Sequence, residues 1–121
     1  MGYFRHHAII VCADDFGKGH MKEAHEKAVE LLTFNSLHGS GMLVTPVVRG
    51  TANGYETFAV VPDGSKEGWG ASGEAEAKRE AFIAWLEANE MRLWSLNWVQ
   101  VEFGGDGGPA RIVSDPKGEQ A

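Results

Sequence analysis

The chain has 121 residues, which corresponds to one domain and is long enough to bury a core. Its 43% hydrophobic share and four Trp exclude a disordered chain, and its single cysteine excludes an internal disulfide. The formal net charge of -6 argues against direct binding of a nucleic-acid backbone, and no apolar run approaches the ~20 residues of a membrane span. We therefore predict one domain over residues 1–115 and a flexible tail over residues 116–121.

The first half of the chain alternates between strand-like and helix-like segments. A continuous apolar run within residues 3–13 predicts a central strand, and apolar residues at three- and four-residue steps predict a helix over residues 20–34. Residues 43–51 and 55–61 predict two further strands. An Asn-Gly pair lies between them, and this pair is typical of a tight hairpin turn because it tolerates positive φ at both central positions.

The second half predicts one more helix and two more strands. The helix is expected over residues 74–93, a strand with alternating side chains over residues 97–103, and a short strand over residues 110–114 that pairs with it. The segments between the predicted helices and strands are rich in glycine and polar residues and are predicted loops. The main ones are residues 14–19, 35–41, 65–73 and 104–109.

The order strand, helix, strand, strand, helix, strand predicts an α+β fold. It is typical of a ferredoxin-like βαββαβ sandwich, in which two helices cover one face of an antiparallel sheet. A doubly wound parallel sheet is excluded, because the short connection between the two middle strands cannot hold a helix. The last short strand would be an addition to this pattern.

Helices on one face leave the other face of the sheet open to solvent or to a partner. Along the fourth predicted strand, Val99, Val101 and Phe103 alternate with polar or aromatic neighbours. If the apolar set is in the core, the open face carries Trp98, Gln100 and Glu102. An outward Trp is enriched at interfaces, so we predict a homodimer through this face, or a cover formed by the loop that carries Trp69.

Charge is concentrated in the second half of the chain. Residues 1–60 carry five basic and six acidic side chains, whereas residues 61–121 carry six basic and eleven acidic ones. A docking surface for a basic protein partner is one interpretation of the second helix, and a solvated helix face is the simpler one. The acidic candidates for such a contact are Glu74, Glu76, Glu80 and Glu87.

No motif in the sequence predicts catalytic, cofactor-binding or metal-binding residues. Gly68 to Gly73 reads G-x-G-x-x-G before a helix, as in dinucleotide-binding folds. No strand directly precedes it, however, and the nearby Glu74 and Glu76 would repel a phosphate, so a flexible loop is the favoured interpretation. Cys12 lies within an apolar run and is predicted to be in the core.

An alternative function is a small dimeric α/β-barrel enzyme, or a small-molecule-binding protein with a pocket between sheet and helices. His6 and His7 point to opposite faces of the first strand, and Asp14 and Asp15 follow at its end. One histidine with one of these carboxylates could act in such a pocket or hold a metal ion. Ordinary hydrogen-bonding and capping roles are the simpler interpretation.

Two stretches of the sequence resemble small accessory proteins encoded by tailed bacteriophages. They are YFRHHAIIV at residues 3–11, and PDGSKEGW at residues 62–69 followed by an acidic segment and AFIAWL. The resemblance implies a compact protein that binds a host factor in the host cytoplasm. The short apolar stretch near the N-terminus, unlike a signal peptide, fits a cytoplasmic protein. We therefore expect a non-catalytic interaction or regulatory module.

Overall fold

The computed structural model describes residues 3–14, 18–37 and 39–115. Asp15 and the predicted tail, residues 116–121, lie outside the described residues. In chain order the elements are β1 (His6–Asp14), α1 (His20–Leu31), β2 (Thr33–Ser36), β3 (Gly39–Met42), β4 (Val48–Arg49), β5 (Tyr55–Val60), α2 (Gly70–Ala88), β6 (Asn97–Phe103) and β7 (Arg111–Ser114).

Five of the strands form one antiparallel sheet in the order β4-β5-β1-β6-β7. β1 lies at its centre, as expected from the continuous apolar run that the strand contains. β2 and β3 form a separate two-stranded hairpin. The predicted α+β class, with two helices and an antiparallel sheet, is confirmed. None of the described helices is long and apolar enough to cross a membrane.

The turn between β4 and β5 has the predicted backbone conformation. Asn53 and Gly54 both have positive φ, 60° and 69°, as a type I′ turn requires. The strand before this turn is shorter than predicted, because Val48–Arg49 alone pairs continuously with β5. Val44 forms an isolated bridge to Val60. Pro46 lies between the two paired stretches and has no N–H to donate to a ladder.

Both helices have different boundaries from those predicted. α1 ends at Leu31, and residues 33–36 pair with residues 39–42 where a loop was expected. Thr33 and Phe34 favour strands, which explains why the helix does not continue to residue 34. α2 covers Gly70–Ala88 in place of residues 74–93. The side-chain amide of Asn89 donates to the carbonyl of Trp85 (2.8 Å) just beyond the end of α2.

A single apolar core lies between the helices and one face of the sheet. Ile9, Val11 and Ala13 of β1 are fully buried against it, whereas Ile10 between them is 42% exposed. α1 contributes Met21, Ala24 and Ala28 to the same cluster, and α2 contributes Phe82, Ile83 and Leu86. Both helices therefore pack on the face of β1 that carries its odd-numbered residues.

The prediction for the two faces of β6 is wrong. Trp98 pairs with Val11 and Gln100 pairs with Ile9, so both side chains point to the helix side, where they are only 7% and 8% exposed. Glu102, across from His7, points the same way. The open face of β6 carries the apolar residues Val99, Val101 and Phe103 that had been expected in the core.

Candidate functional site

The face of the sheet opposite the helices is apolar and uncharged across its centre. We refer to the side chains that compose it as the open sheet face. By register these are Ala8, Ile10, Cys12, Val48, Thr57, Ala59, Val99, Val101, Phe103 and Ile112. Several are well exposed: Ile10 is 42% exposed, Ile112 61% and Val48 62%. The titratable groups His6 and Asp14 lie at the two ends of β1.

Cys12 belongs to the open sheet face and is not part of the core. It is half-buried and carries a free thiol, whereas its neighbours Val11 and Ala13 are fully buried on the helix side. The expectation of a core cysteine is therefore wrong. An apolar run with no polar interruption does not indicate which alternate residues face the helices.

His6, His7 and Asp14, the candidates of the alternative function that the structure describes, are not brought together. His6 lies on the open side, with its ring centroid 5.7 Å from that of Phe103, whereas His7 lies on the helix side. Asp14 is at the far end of β1, about 23 Å from His7 at ~3.3 Å per residue. Among residues 3–14, 18–37 and 39–115, no group of three or more His, Cys, Asp or Glu is placed to hold a metal ion.

On the helix side, Glu102 lies among basic groups. Its carboxylate accepts a hydrogen bond from Arg111 Nε, and it is 3.7 Å from Arg5 Nη2 and 3.9 Å from His7 Nδ1. The hydrogen bond from Arg111 is the main cause that lowers the pKa of Glu102, with smaller contributions from Arg5 and His7. Glu102 therefore has a structural role, and its carboxylate is not displayed on the open sheet face.

A polar cavity of about 300 Å³ lies between β1, the loop before α2 and the first turns of α2. We refer to it as the Arg79 cavity; its lining residues are His7, Glu67, Gly68, Trp69, Ser72, Gly73, Glu76 and Arg79. Glu67 is held by two contacts: its Oε1 is 3.3 Å from His7 Nε2, and its Oε2 accepts a hydrogen bond from Ser72 Oγ (2.9 Å). This arrangement places a glutamate, a histidine and a serine in one chain of hydrogen bonds.

Arg79 is the unusual member of this cavity. Its side chain lies on the core side of α2 and the residue is only 4% exposed. Its Nε is buried and has no hydrogen-bond partner among the described residues. Burial lowers the pKa of Arg79, and the carboxylates of Asp63, Glu76, Glu67 and Glu80 act in the opposite direction. A buried cation without a partner is costly, so it points to a function.

A second, larger groove of about 660 Å³ lies between the β2–β3 hairpin and the start of α2. Its apolar wall is formed by Phe34, Met42, Leu43 and Trp69. Trp69 is 51% exposed and lines both this groove and the Arg79 cavity. The G-x-G-x-x-G stretch therefore lies between two concave surfaces.

The acidic residues of α2 have different surroundings. Glu74 accepts a hydrogen bond from Ser36 Oγ (2.8 Å), and Glu76 lines the Arg79 cavity. Glu80 and Glu87 are exposed. With Glu76 they lie at four- and seven-residue spacing, which places the three on one stripe of the helix. This stripe lies on the helix side of the sheet and is separate from the open sheet face.

Comparisons with known proteins add no assignment to these surfaces. No protein-family model, curated protein or solved structure matches the chain. The resemblance to phage-encoded accessory proteins stays a prediction.

Proposed function

We propose that the protein is a non-catalytic interaction module that associates with a second copy of itself through the open sheet face. The observation that carries this proposal is the absence of charge across the centre of that face. Ile10, Val48 and Ile112 expose apolar side chains there, and the titratable groups His6 and Asp14 lie at the two ends of β1. An exposed apolar patch of this kind in a small protein marks an interaction site.

The charge distribution favours a second copy as the occupant. The chain has a net charge of -6, so two copies repel each other wherever acidic surfaces meet. The open sheet face brings no such charge into the contact, and the acidic stripe of α2 lies on the other side of the sheet. A two-fold axis would place the same apolar patch on both sides of the interface.

The size of the face fits a weak dimer interface. Its strands have 9, 2, 6, 7 and 4 residues, which at ~3.3 Å per residue and ~4.8 Å between strands give about 440 Å² of projected area per copy. Two copies would then bury about 900 Å², below the roughly 1,200 Å² of stable specific interfaces and in the range of transient ones. We therefore expect a dimer that dissociates on dilution.

We also infer a ferredoxin-like core for this domain. The order β4-β5-β1-β6, with α1 and α2 on one face, supports this inference. The β2–β3 hairpin would then be an insertion and β7 an added edge strand. A fold of this type leaves one sheet face without helices, which is the face assigned here to self-association.

The experiment is sedimentation equilibrium of the full chain over a range of concentrations, with Ile10→Lys as the test variant. Leu37→Lys is the matched control, because Leu37 is fully exposed and lies in the β2–β3 turn. We expect a monomer–dimer equilibrium for the wild type and for the control, and a monomer for Ile10→Lys. A wild type that stays monomeric at millimolar concentration would overturn the proposal, as would a dimer that Ile10→Lys leaves intact.

An acidic docking surface on α2 is the competing outcome. If Glu80→Lys dissociates the dimer and Ile10→Lys does not, the contact lies on the helix side and the proposal is wrong. Two results together would support the acidic surface in place of the open sheet face. The wild type would be monomeric, and a basic protein partner would bind the wild type but not Glu80→Lys.

A further inference from the structure

The Arg79 cavity contains two opposite charges that do not pair with each other. Glu76 and Arg79 are three residues apart on α2, a spacing at which a carboxylate and a guanidinium ordinarily form an ion pair. Both line the cavity, yet no hydrogen bond or ion pair joins Arg79 to any residue within the described part of the chain. Arg79 is 4% exposed, so water cannot fully replace the missing partner.

The other charged group of the cavity is already engaged. Glu67 contacts His7 through one carboxylate oxygen and accepts a hydrogen bond from Ser72 through the other. This leaves one buried cation and one exposed carboxylate facing the same space. A ligand that carries both charges would satisfy both groups, whereas a simple ion would satisfy only one of them.

We propose that the Arg79 cavity binds a small zwitterion of the amino-acid class. The ligand's carboxylate pairs with the guanidinium of Arg79, and its ammonium group pairs with Glu76. Guanidinium and carboxylate match in a planar, two-bond geometry, and such charged hydrogen bonds are the stronger ones in proteins. This inference is independent of self-association, because the cavity is on the helix side of the sheet.

The dimensions of the cavity agree with a ligand of this size. Its volume of about 300 Å³ corresponds to roughly ten water molecules at ~30 Å³ each, enough for a molecule with five to ten heavy atoms. Trp69 is half-exposed at the cavity and offers apolar surface for the ligand's side chain. We therefore expect an amino acid with an apolar side chain to bind better than glycine.

A phosphate is a poorer ligand for the same cavity. The first turn of α2 has no side-chain cap, and an uncapped helix N-terminus favours anions. Glu67 and Glu76 line the cavity as well, however, and both would repel a dianion. A single negative charge that is balanced by an ammonium group in the ligand avoids this repulsion.

The test is a titration of the full chain followed by protein NMR, with each of the twenty amino acids as probes. Acetate, ethylamine and inorganic phosphate are the comparison ligands. We expect saturable shifts at residues of the Arg79 cavity for at least one apolar amino acid, and at least tenfold weaker binding of acetate and ethylamine. No saturable binding of any amino acid at 10 mM (roughly the weak limit of specific sites), or tighter binding of phosphate, would overturn the proposal.

Variants of α2 test which residue binds the carboxylate of the ligand and which binds its ammonium group. Arg79→Gln and Glu76→Gln are each expected to weaken binding of the amino acid at least tenfold, whereas Glu80→Gln, on the same helix outside the cavity lining, leaves it unchanged. Glu76 is exposed, so Glu76→Gln keeps the test decisive even if Arg79→Gln perturbs the fold. Unchanged affinity in Glu76→Gln would overturn the assignment of the ammonium group.

Discussion

Ile10 of β1 lies directly across from Val99 of β6, on the face of the sheet that the helices leave uncovered. The pair is flanked along β1 by Ala8 and Cys12. The helices form a second layer on the opposite face only, so the Ile10–Val99 pair has no such layer among the described residues. In the proposed dimer, the open sheet face of the second copy covers this pair.

Cys12 provides a reporter for that contact. It is the only cysteine of the chain and it is half-buried on the open sheet face. We expect its reaction with a bulky thiol reagent to slow as protein concentration rises, because the dimer covers it. Ile10→Lys is expected to keep the fast rate at all concentrations. A rate that does not depend on concentration in the wild type would contradict a contact at this face.

Trp98→Ala is expected to destabilise the fold without acting directly on association. Trp98 is 7% exposed within the core, and truncation of a buried Trp costs about 3–5 kcal/mol of unfolding free energy. Urea denaturation measures this loss. Trp94→Ala is the control, because Trp94 is 62% exposed, and it is expected to cost less than about 1 kcal/mol. Equal losses in the two variants would contradict the burial of Trp98.

Glu102→Gln is expected to change the pH dependence of stability. The pKa of Glu102 is lowered in the folded state, mainly by the hydrogen bond from Arg111. Its carboxylate therefore stabilises the fold above the ordinary pKa of glutamate, and this contribution is lost as pH falls through the lowered pKa. Urea denaturation at pH 7 and pH 3 should show a wild-type advantage that shrinks at the lower pH.

A matched variant tests whether the change in pH dependence is specific to the carboxylate of Glu102. Glu87 is exposed on α2, so Glu87→Gln is expected to leave the pH dependence as in the wild type. If the difference between Glu102→Gln and the wild type is the same at pH 7 and at pH 3, the ionised carboxylate is not what stabilises the fold there.

Arg79→Met is expected to stabilise the protein in the absence of ligand. The substitution removes a buried cation that has no partner, and an apolar chain of similar length fills its place. The gain should be about 1–3 kcal/mol in urea denaturation. Arg92→Met is the comparison, since Arg92 is exposed and paired with Glu23, and it should change the free energy of unfolding little because a surface ion pair contributes little to stability. A loss of stability in Arg79→Met would show that the guanidinium is satisfied in solution.

The α+β class followed from local signals in the sequence. The turn at Asn53 and Gly54 separates two strands with too few residues for a helix, and the apolar periodicity of residues 20–34 located α1. The face of β6 could not be assigned in the same way. Both faces of β1 are apolar, and the general rule that hydrophobic residues are buried predicts the more apolar side of β6 to be in the core.

The polar residues on the core side explain why that rule failed. Gln100 accepts a hydrogen bond from Ser114 Oγ (3.2 Å), and Glu102 is surrounded by Arg5, Arg111 and His7. Arg5 and His7 come from the start of the chain and become neighbours of Glu102 only after folding, whereas Arg111 and Ser114 lie on the adjacent strand β7. The Arg79 cavity is a partly similar case: the three- and four-residue steps from Ala75 to Phe82 place Arg79 on the buried stripe of α2, but only the fold shows that its Nε has no partner among the described residues.

The edges of the sheet determine how far assembly can proceed. On one side the sheet ends in the two-residue strand β4, and on the other side in β7, which pairs with β6 through an irregular register. Short and irregular edge strands resist the addition of further strands. Association is then confined to the open sheet face. In a two-fold dimer this face is buried on both copies, so no further copy can bind there. We therefore expect light scattering to level off at the dimer mass as concentration rises, with no growth into fibres.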